Sequence, residues 1–279
     1  MTPGEQSLLV LGAGYTGTAC VDMARERGYV VTATRRTQDV VRTGLPEEGR
    51  LRFSLVDRTT WDELPECRLG VVTFPLEPLT LVQEFSTLLM KRVRRVVVVG
   101  TTSSYLQSSE DQLLDEDAAL DLSSPRVQGE EFLRLQGAII LRSAGIYGPA
   151  VGGARPRNPL DWLRSGSIAD GGKFVNLVHV NDLSAAILAA LESTAMGRQY
   201  IVTDGVPRRW KEIADWSVSR GFLREYRFSG RAGRPSRQLS NQRLLTELKP
   251  SFRRTDLFRE IEALESVRPY LRNDTSPAP

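Results

Sequence analysis

The stretch SLLVLGAGYTG, Ser7 to Gly17, decides the fold of this chain. An apolar run, Leu8 to Leu11, breaks into three glycines, Gly12, Gly14 and Gly17, spaced as G-x-G-x-x-G. A helical pattern through Ala19, Val21, Met23 and Ala24 follows at once. Strand, glycine turn and helix in that order make a place for a pyrophosphate. The first glycine permits the tight turn, the second admits phosphate close to the backbone, and the third lets helix and strand pack closely. The helix N-terminus adds unpaired N–H groups and a positive dipole end. Gly12, Gly14 and Gly17, with Tyr15 and Thr16 between them, are the first candidate cofactor-binding residues.

Working outward, strand and helix signals alternate through the first half. Strands are predicted at Tyr29–Thr34, Leu51–Val56, Gly70–Phe74, Val96–Val99 and Ala138–Arg142, and helices at Leu79–Met90 and from about Arg126 to Leu135. The β-branched run Val96–Val99 lacks polar alternation, as expected of a parallel strand buried on both faces. This alternation predicts an α/β fold: a doubly wound parallel sheet of Rossmann type with a smaller C-terminal substrate lobe. The expected division is residues 1–150 for dinucleotide binding and 151–272 for the lobe, with 176–202 returning to the core and 273–279 forming a disordered tail. Val151–Pro159 reads as a loop. Helix patterns at Leu160–Arg164, Asp182–Leu191 and Pro207–Arg220 and a strand at Gln199–Val202 complete the pattern.

The chain has 279 residues, 41% of them hydrophobic and 25% charged, which is ordinary for a globular protein. A net charge of +3 gives no reason to expect nucleic acid as a partner. Two cysteines make no disulfide framework, and one histidine, His179, makes no histidine metal cluster. No metal site is expected. There is no signal-peptide pattern and no apolar run of membrane-spanning length, so no membrane partner is expected and the cytoplasm is the default compartment.

The second strand ends Thr34-Arg35-Arg36. An NAD site of this type usually carries an acid there, holding the ribose hydroxyls. An acid repels a 2′-phosphate, whereas guanidiniums attract it and bind it bidentately. The expected cofactor is therefore NADP, with NAD the weaker candidate. Asp57, after the third strand, is placed to accept from an adenine amino group or to cap a helix starting near Thr59. Phe74 and Pro75, closing the fourth strand, are assigned to the same cofactor edge.

Several separate stretches now point to one family. GAGYTG at Gly12–Gly17, VVVVGTTSSYL at Val96–Leu106, LRSAGIYGP at Leu141–Pro149 and NLVHVNDLSAAILAAL at Asn176–Leu191 are its strongest carriers. YIVTDGVP at Tyr200–Pro207 and LSNQRLLTEL at Leu239–Leu248 add to them. Over roughly Ser7 to Leu264 the chain resembles the extended short-chain dehydrogenase/reductases, the NAD(P)-dependent sugar epimerase/dehydratase-like proteins.

The resemblance implies a Ser/Thr, Tyr and Lys trio: the Tyr as acid/base, the Lys lowering its pKa and holding the nicotinamide ribose, the Ser/Thr orienting the substrate oxygen. Thr101 falls at the Ser/Thr position. The segment LDLSSPRVQGEEFL, where the Tyr-x-x-x-Lys pair belongs, contains neither residue. Aligned on Glu130, Leu122 stands at the Tyr position and Arg126 at the Lys position. Three readings stay open: Tyr105 or Tyr147 acts instead; Thr101 or water relays the proton; or catalysis is lost and the protein is an NADP sensor or interaction protein.

The stretch from Arg220 to Arg254 is arginine-rich, with acids only at Glu225 and Glu247. It falls where the family binds substrate, and arginines suit phosphates. Asn176, Arg234 and Arg237 are the candidate substrate residues. His179 is expected to be structural, with Asn181 or Asp182 capping the helix that follows. The function expected is oxidoreduction or epimerisation at a carbonyl/hydroxyl carbon of a small-molecule substrate, with a nucleotide-linked or phosphorylated compound as the candidate. A homodimer is a family-level expectation.

Overall fold

A computed structural model describes residues 6–36, 49–230 and 235–268. In chain order its elements are β1 (Ser7–Leu11), α1 (Tyr15–Glu26), β2 (Val30–Arg35), β3 (Arg50–Arg52), β4 (Cys67–Val72), α2 (Leu79–Arg92), β5 (Val93–Thr101), β6 (Gln112–Leu114), α3 (Pro125–Leu135), β7 (Ile139–Ser143) and β8 (Gly145–Tyr147). There follow α4 (Pro159–Arg164), β9 (Phe174–Val175), β10 (Leu177–His179), α5 (Val180–Glu192), β11 (Gln199–Val202), β12 (Arg208–Arg209), α6 (Trp210–Ser219), β13 (Arg237–Leu239), α7 (Gln242–Glu247) and α8 (Leu257–Ser266).

Seven strands form one parallel sheet in the order β11-β7-β5-β4-β1-β2-β3. The fold is the doubly wound α/β sheet that the alternation of elements predicts. Alternate residues of β1 serve its two faces. Leu8 and Val10 join Cys20, Val21, Leu183, Ala186 and Ile187 under α1 and α5. Leu9 and Leu11 join Val82, Phe85, Leu89 and Leu133 under α2 and α3. Helix α5 is buried nearly all round because it lies between α1 and the sheet, which explains its lack of a polar face. Among the described residues no helix is long and apolar enough to cross a membrane.

Strand order reverses on either side of β1, which pairs with β2 and with β4. A crevice opens there beyond the carboxyl ends of the strands, the usual ligand position of an open α/β sheet. A separate apolar cluster forms where α4, α6 and α8 pack around Tyr147, Leu160, Ile213, Leu257 and Ile261, as a smaller C-terminal lobe. Trp162 and Trp210 meet edge to face there at 5.8 Å.

The fourth strand runs Cys67–Val72 instead of Gly70–Phe74 and the fifth extends to Val93–Thr101, and three further differences from the sequence reading have a visible local cause. The third strand covers only Arg50–Arg52 instead of Leu51–Val56, because the chain turns back as Asp57 N–H donates to the Ser54 carbonyl at 3.1 Å. Phe53 and Leu55 still bury their side chains, so the alternation survives without the ladder. Helix α6 starts at Trp210, not Pro207, because Arg208 and Arg209 pair with β9. The cap of α5 is His179 itself: its Nδ1 accepts from Asn181 N–H at 3.1 Å. Asp182 instead accepts the amides of Arg253 and Arg254, both at 2.9 Å, and so ties down a distant segment. The expected tail 273–279 lies outside the described residues.

One buried charge network braces β7 against α3. Arg142, fully buried, donates to Glu130 at 2.7 Å, Glu131 at 2.8 Å, Ser104 Oγ at 2.9 Å and Gln199 at 2.7 Å. A guanidinium without water is tolerable only when its donors are met in this way.

Candidate functional site

The glycine turn is held from three sides. Gly12 N–H donates to Thr34 Oγ1 at 3.1 Å and Ala13 N–H to the Thr34 carbonyl at 2.7 Å. Thr73 Oγ1 donates to the Gly12 carbonyl, Thr18 Oγ1 to the Ala13 carbonyl at 3.0 Å, and Arg35 Nε to that same carbonyl at 2.7 Å. Gly12 has φ +100°, where a side chain would be strained, and a Cβ would stand 2.9 Å from Thr73 Oγ1. At Gly17 a Cβ would lie 2.2 Å from the Gly12 carbonyl oxygen. At Gly14 a Cβ would meet nothing within 4 Å. Two glycines are thus required by the protein itself, whereas the space beside Gly14 is open.

That space is a cleft of about 1160 Å³. Its floor is Gly12, Ala13, Gly14 and Tyr15; Thr34, Arg35 and Arg36 end one side; Thr73, Phe74, Pro75 and Glu77 end the other; Phe53–Val56 and Gly152–Ala154 form the remaining walls. No side chain caps the first turn of α1, so its amides face the cleft without an internal acceptor of that kind. The Tyr15 hydroxyl donates to the Pro149 carbonyl at 2.9 Å, and burial pushes its pKa up to about 12. Glu77 is the one acid among these lining residues, opposite two arginines. An extended dianionic dinucleotide fits this donor set, and Thr34, Arg35 and Arg36 would flank the ribose farther from the turn.

Of the predicted cofactor residues, Gly12, Gly14, Tyr15, Arg35, Arg36, Phe74 and Pro75 line the cleft. Gly17 lies buried beneath the turn, and Thr16 sits partly exposed on α1 outside the lining. Asp57 caps the short 3-10 turn Arg58–Thr60, accepting from Thr59 Oγ1 at 2.7 Å, and pairs with Arg52 at 2.8 Å. Those bonds hold its carboxylate below the usual range. Its capping role is the one the structure displays. Sequence reasoning missed Thr34 and Thr73, although hydroxyls ending the strands beside a glycine turn were a usable signal. It also missed Gly152–Ala154, which no local pattern assigns to a site over a hundred residues upstream.

Of the catalytic candidates, Thr101 and Arg126 meet the carboxyl end of β5, whereas Tyr105 and Tyr147 sit in two separate apolar clusters. Thr101 Oγ1 is 2.9 Å from Ser103 Oγ and accepts from Ser103 N–H, capping the 3-10 turn Thr102–Ser104. Arg126 donates to Glu130 at 2.8 Å and to the Val99 carbonyl at 3.3 Å. Leu122 is exposed. Tyr105 is 4% exposed, with a buried hydroxyl that has no partner among the described residues. The Tyr147 hydroxyl donates to the Arg254 carbonyl at 3.3 Å. Burial drives both phenols well above the ordinary tyrosine value, with Asp204 and Glu260 adding to the effect at Tyr147. Neither lines the cleft or the second cavity described next. As placed, each is harder to deprotonate than a free tyrosine, the reverse of what acid/base work near neutral pH requires.

A second cavity of about 500 Å³ lies between the sheet edge and the C-terminal lobe, lined by Thr102, Trp162, Lys173, Asn176, Trp210 and Arg237 among others. Asn176 is committed to the backbone: Nδ2 donates to the Arg237 carbonyl and Oδ1 accepts from Leu239 N–H, both at 3.0 Å. Arg237 donates to the Tyr105 carbonyl at 3.4 Å. Arg234 lies outside the described residues. In the arginine-rich stretch, Arg243 is paired with Asp117 at 2.6 Å.

No family model matches the chain. Over 215 residues it is 26% identical to Protein YeeZ of Escherichia coli (strain K12), covering 70% of this chain and 76% of that protein. Among solved structures it is similar to an NAD-dependent epimerase/dehydratase described as putative, from Methylobacillus flagellatus (TM-score 0.73, 23% identity, 95% of this chain and 99% of that one). It is similar also to MoeE5 in complex with UDP-glucose and NAD (0.74, 19%, 95% and 99%). A short-chain dehydrogenase/reductase superfamily protein from Agrobacterium tumefaciens with bound NAD matches at 0.75 and 17% identity, over 95% and 98% of the two chains. Seven parallel strands, the glycine turn at the switch point and the small C-terminal lobe thus give this chain the fold of the NAD-dependent epimerase/dehydratase and short-chain dehydrogenase/reductase proteins.

Proposed function

We propose that this protein binds NADP(H) across the carboxyl edge of its sheet and works as an oxidoreductase or epimerase at a carbonyl/hydroxyl carbon. One observation carries the reading: Gly14 holds open a cradle that no protein atom fills, and Arg35 and Arg36 line the same cleft where an NAD site would place an acid. Solved proteins of this fold with bound NAD support a nicotinamide dinucleotide of some kind. The bound nicotinamide would supply hydride exchange.

The chain's own residues would bind and orient. The turn amides and the α1 N-terminus would hold the diphosphate. The guanidiniums would hold the 2′-phosphate. The Thr101 hydroxyl, 2.9 Å from Ser103 Oγ and set outside the lining of both cavities, would relay a proton through water. The second cavity would take the substrate. Its two indoles and the cations Lys173 and Arg237 suit a nucleotide-linked or phosphorylated compound.

A second reading has a specific observation behind it. With Leu122 exposed at the position where the resemblance puts a Tyr, and Tyr105 and Tyr147 both buried, the site also fits an NADP sensor or interaction protein. Fluorescence titration with NADPH and NADH tests the binding claim: NADPH is expected to bind the more tightly, and an NADH preference refutes the cofactor assignment. Stopped-flow oxidation of bound NADPH by a panel of phosphorylated and nucleotide-linked carbonyl compounds then separates the readings. Turnover of any member supports the enzyme, and tight binding without turnover supports the sensor.

A further inference from the structure

Residues Gly148–Arg157 form a closed hairpin arm. Gly148 and Arg157 exchange two backbone hydrogen bonds, both 2.9 Å, and Val151 and Ala154 exchange two more at 3.3 and 2.8 Å. The two-residue loop between them, Gly152-Gly153, has φ of +53° and +79°, the left-handed pair of a type I′ turn. The arm is fastened to the first residue of α1. The Tyr15 hydroxyl donates to the Pro149 carbonyl, and the Arg157 guanidinium lies 4.5 Å above the Tyr15 ring. Val151 and Ala154 pack on Tyr15, Ala19 and Val180. At Gly148, φ +145°, a Cβ would crowd Val180, His179 Nε2 and the Tyr15 hydroxyl at 2.9–3.1 Å, so the base of the arm sits as close as a glycine allows.

We propose that this arm is a wall of the dinucleotide site, whose Gly152-Gly153 tip packs against the diphosphate and adjoining ribose of bound NADP(H), with Tyr15 and Arg157 as positioning residues that set its height. The inference rests on the NADP(H) reading above. Its physical basis is economy of side chain. A type I′ turn is satisfied by Asn-Gly as well as by Gly-Gly. Here the tip and the next residue, Ala154, together present nothing larger than a methyl group to the cleft they line. Glu77 is the one acid lining the cleft that the tip borders, against Arg35 and Arg36, and that balance of charge favours a dianion. Tyr15 ties the two halves together, since it belongs to the pyrophosphate helix and also latches the arm.

Hydrogen exchange of the intact protein with and without saturating NADPH, read on the segment 148–157, tests the proposal. NADPH titrations of Gly152→Asn and Tyr15→Phe complete the test. Slowed exchange in the arm is expected. Gly152→Asn keeps the turn chemistry and adds a side chain at the cleft, so NADPH affinity is expected to fall at least tenfold with Tm unchanged. Tyr15→Phe, which frees the latch, is expected to speed NADPH dissociation several-fold. If wild-type protein binds NADPH while exchange in 148–157 and the Gly152→Asn affinity stay unchanged, the arm proposal is overturned and the cofactor reading stands. If wild-type protein binds neither NADPH nor NADH, both fall. Should Gly152→Asn fail to fold, exchange on the wild-type chain decides alone.

Discussion

Replacing Gly14 and Gly17 separately by Ala distinguishes a glycine kept for the protein from a glycine kept for a ligand. At Gly17 the new Cβ would lie 2.2 Å from the Gly12 carbonyl oxygen, 3.0 Å from its carbon and 3.1 Å from Thr73 Oγ1. The first two are backbone atoms of a turn anchored by Thr34, Thr73 and Arg35, so α1 must move off β1. Overpacking of this kind costs about 1–3 kcal/mol. At roughly 2–4 °C per kcal/mol for a chain of this size, Tm should drop by several degrees. At Gly14 the Cβ meets no atom within 4 Å, and φ −77°, ψ −156° suits Ala. Ala is a poorer N-cap than Gly but loses less entropy on folding, and the two effects offset to within about 1 kcal/mol. The methyl would, however, fill the space through which a diphosphate reaches the turn amides. Losing one hydrogen bond to a charged oxygen, about 1.5–3 kcal/mol, weakens NADPH binding roughly 10- to 100-fold. Thermal melts and NADPH fluorescence titrations of both variants are the assay. Wild-type NADPH affinity in a well-folded Gly14→Ala protein would refute the cradle argument.

Further consequences can be measured in the same way. Arg36→Glu places an acid where NAD sites carry one, so the NADPH:NADH affinity ratio is expected to fall by tenfold or more; an unchanged ratio removes the guanidinium from 2′-phosphate recognition. His179 is 2% exposed, and burial, with the Arg254 charge adding to it and Glu260 opposing, depresses its pKa to about 4, leaving it neutral at pH 7 despite Glu260 at 3.8 Å. Because the unfolded chain takes up that proton first, stability is present above pH 6.5 and lost as pH falls towards 4, by roughly 3 kcal/mol in all. The acid-side decline in Tm should therefore flatten in His179→Gln, and an identical pH profile would contradict the assignment. Arg142→Met leaves the buried Glu130 with Arg126 alone, at a cost of about 3–5 kcal/mol; a melt within 2 °C of wild type would show the network to be dispensable.

The sequence by itself determined the scaffold and the floor of the cleft. Parallel strands buried on both faces announce themselves as unbroken apolar runs, and Gly12, Gly14, Arg35 and Arg36 line the cleft at the ends of the two strands the sequence marks most clearly, with Gly17 beneath the turn. Only the tertiary structure decided the rest. Apolar residues at Phe53–Leu55 promised a strand, yet the chain curls into a turn, because burial constrains where side chains point and not whether the backbone finds a ladder partner. Tyr105 and Tyr147 stand beside motif residues in the chain, but burial, which depends on what α8, β11 and β13 bring from far away, sets them back from both cavities. Asn176 is occupied for the same reason, by the backbone of Arg237 and Leu239. The arm at Gly148–Arg157 is a glycine-rich loop in sequence, and its place over the cleft follows from contacts with Tyr15, His179 and Val180 at separations no local pattern encodes. Short-range chemistry wrote the glycine turn into the sequence; long-range packing chose which side chains share its cleft.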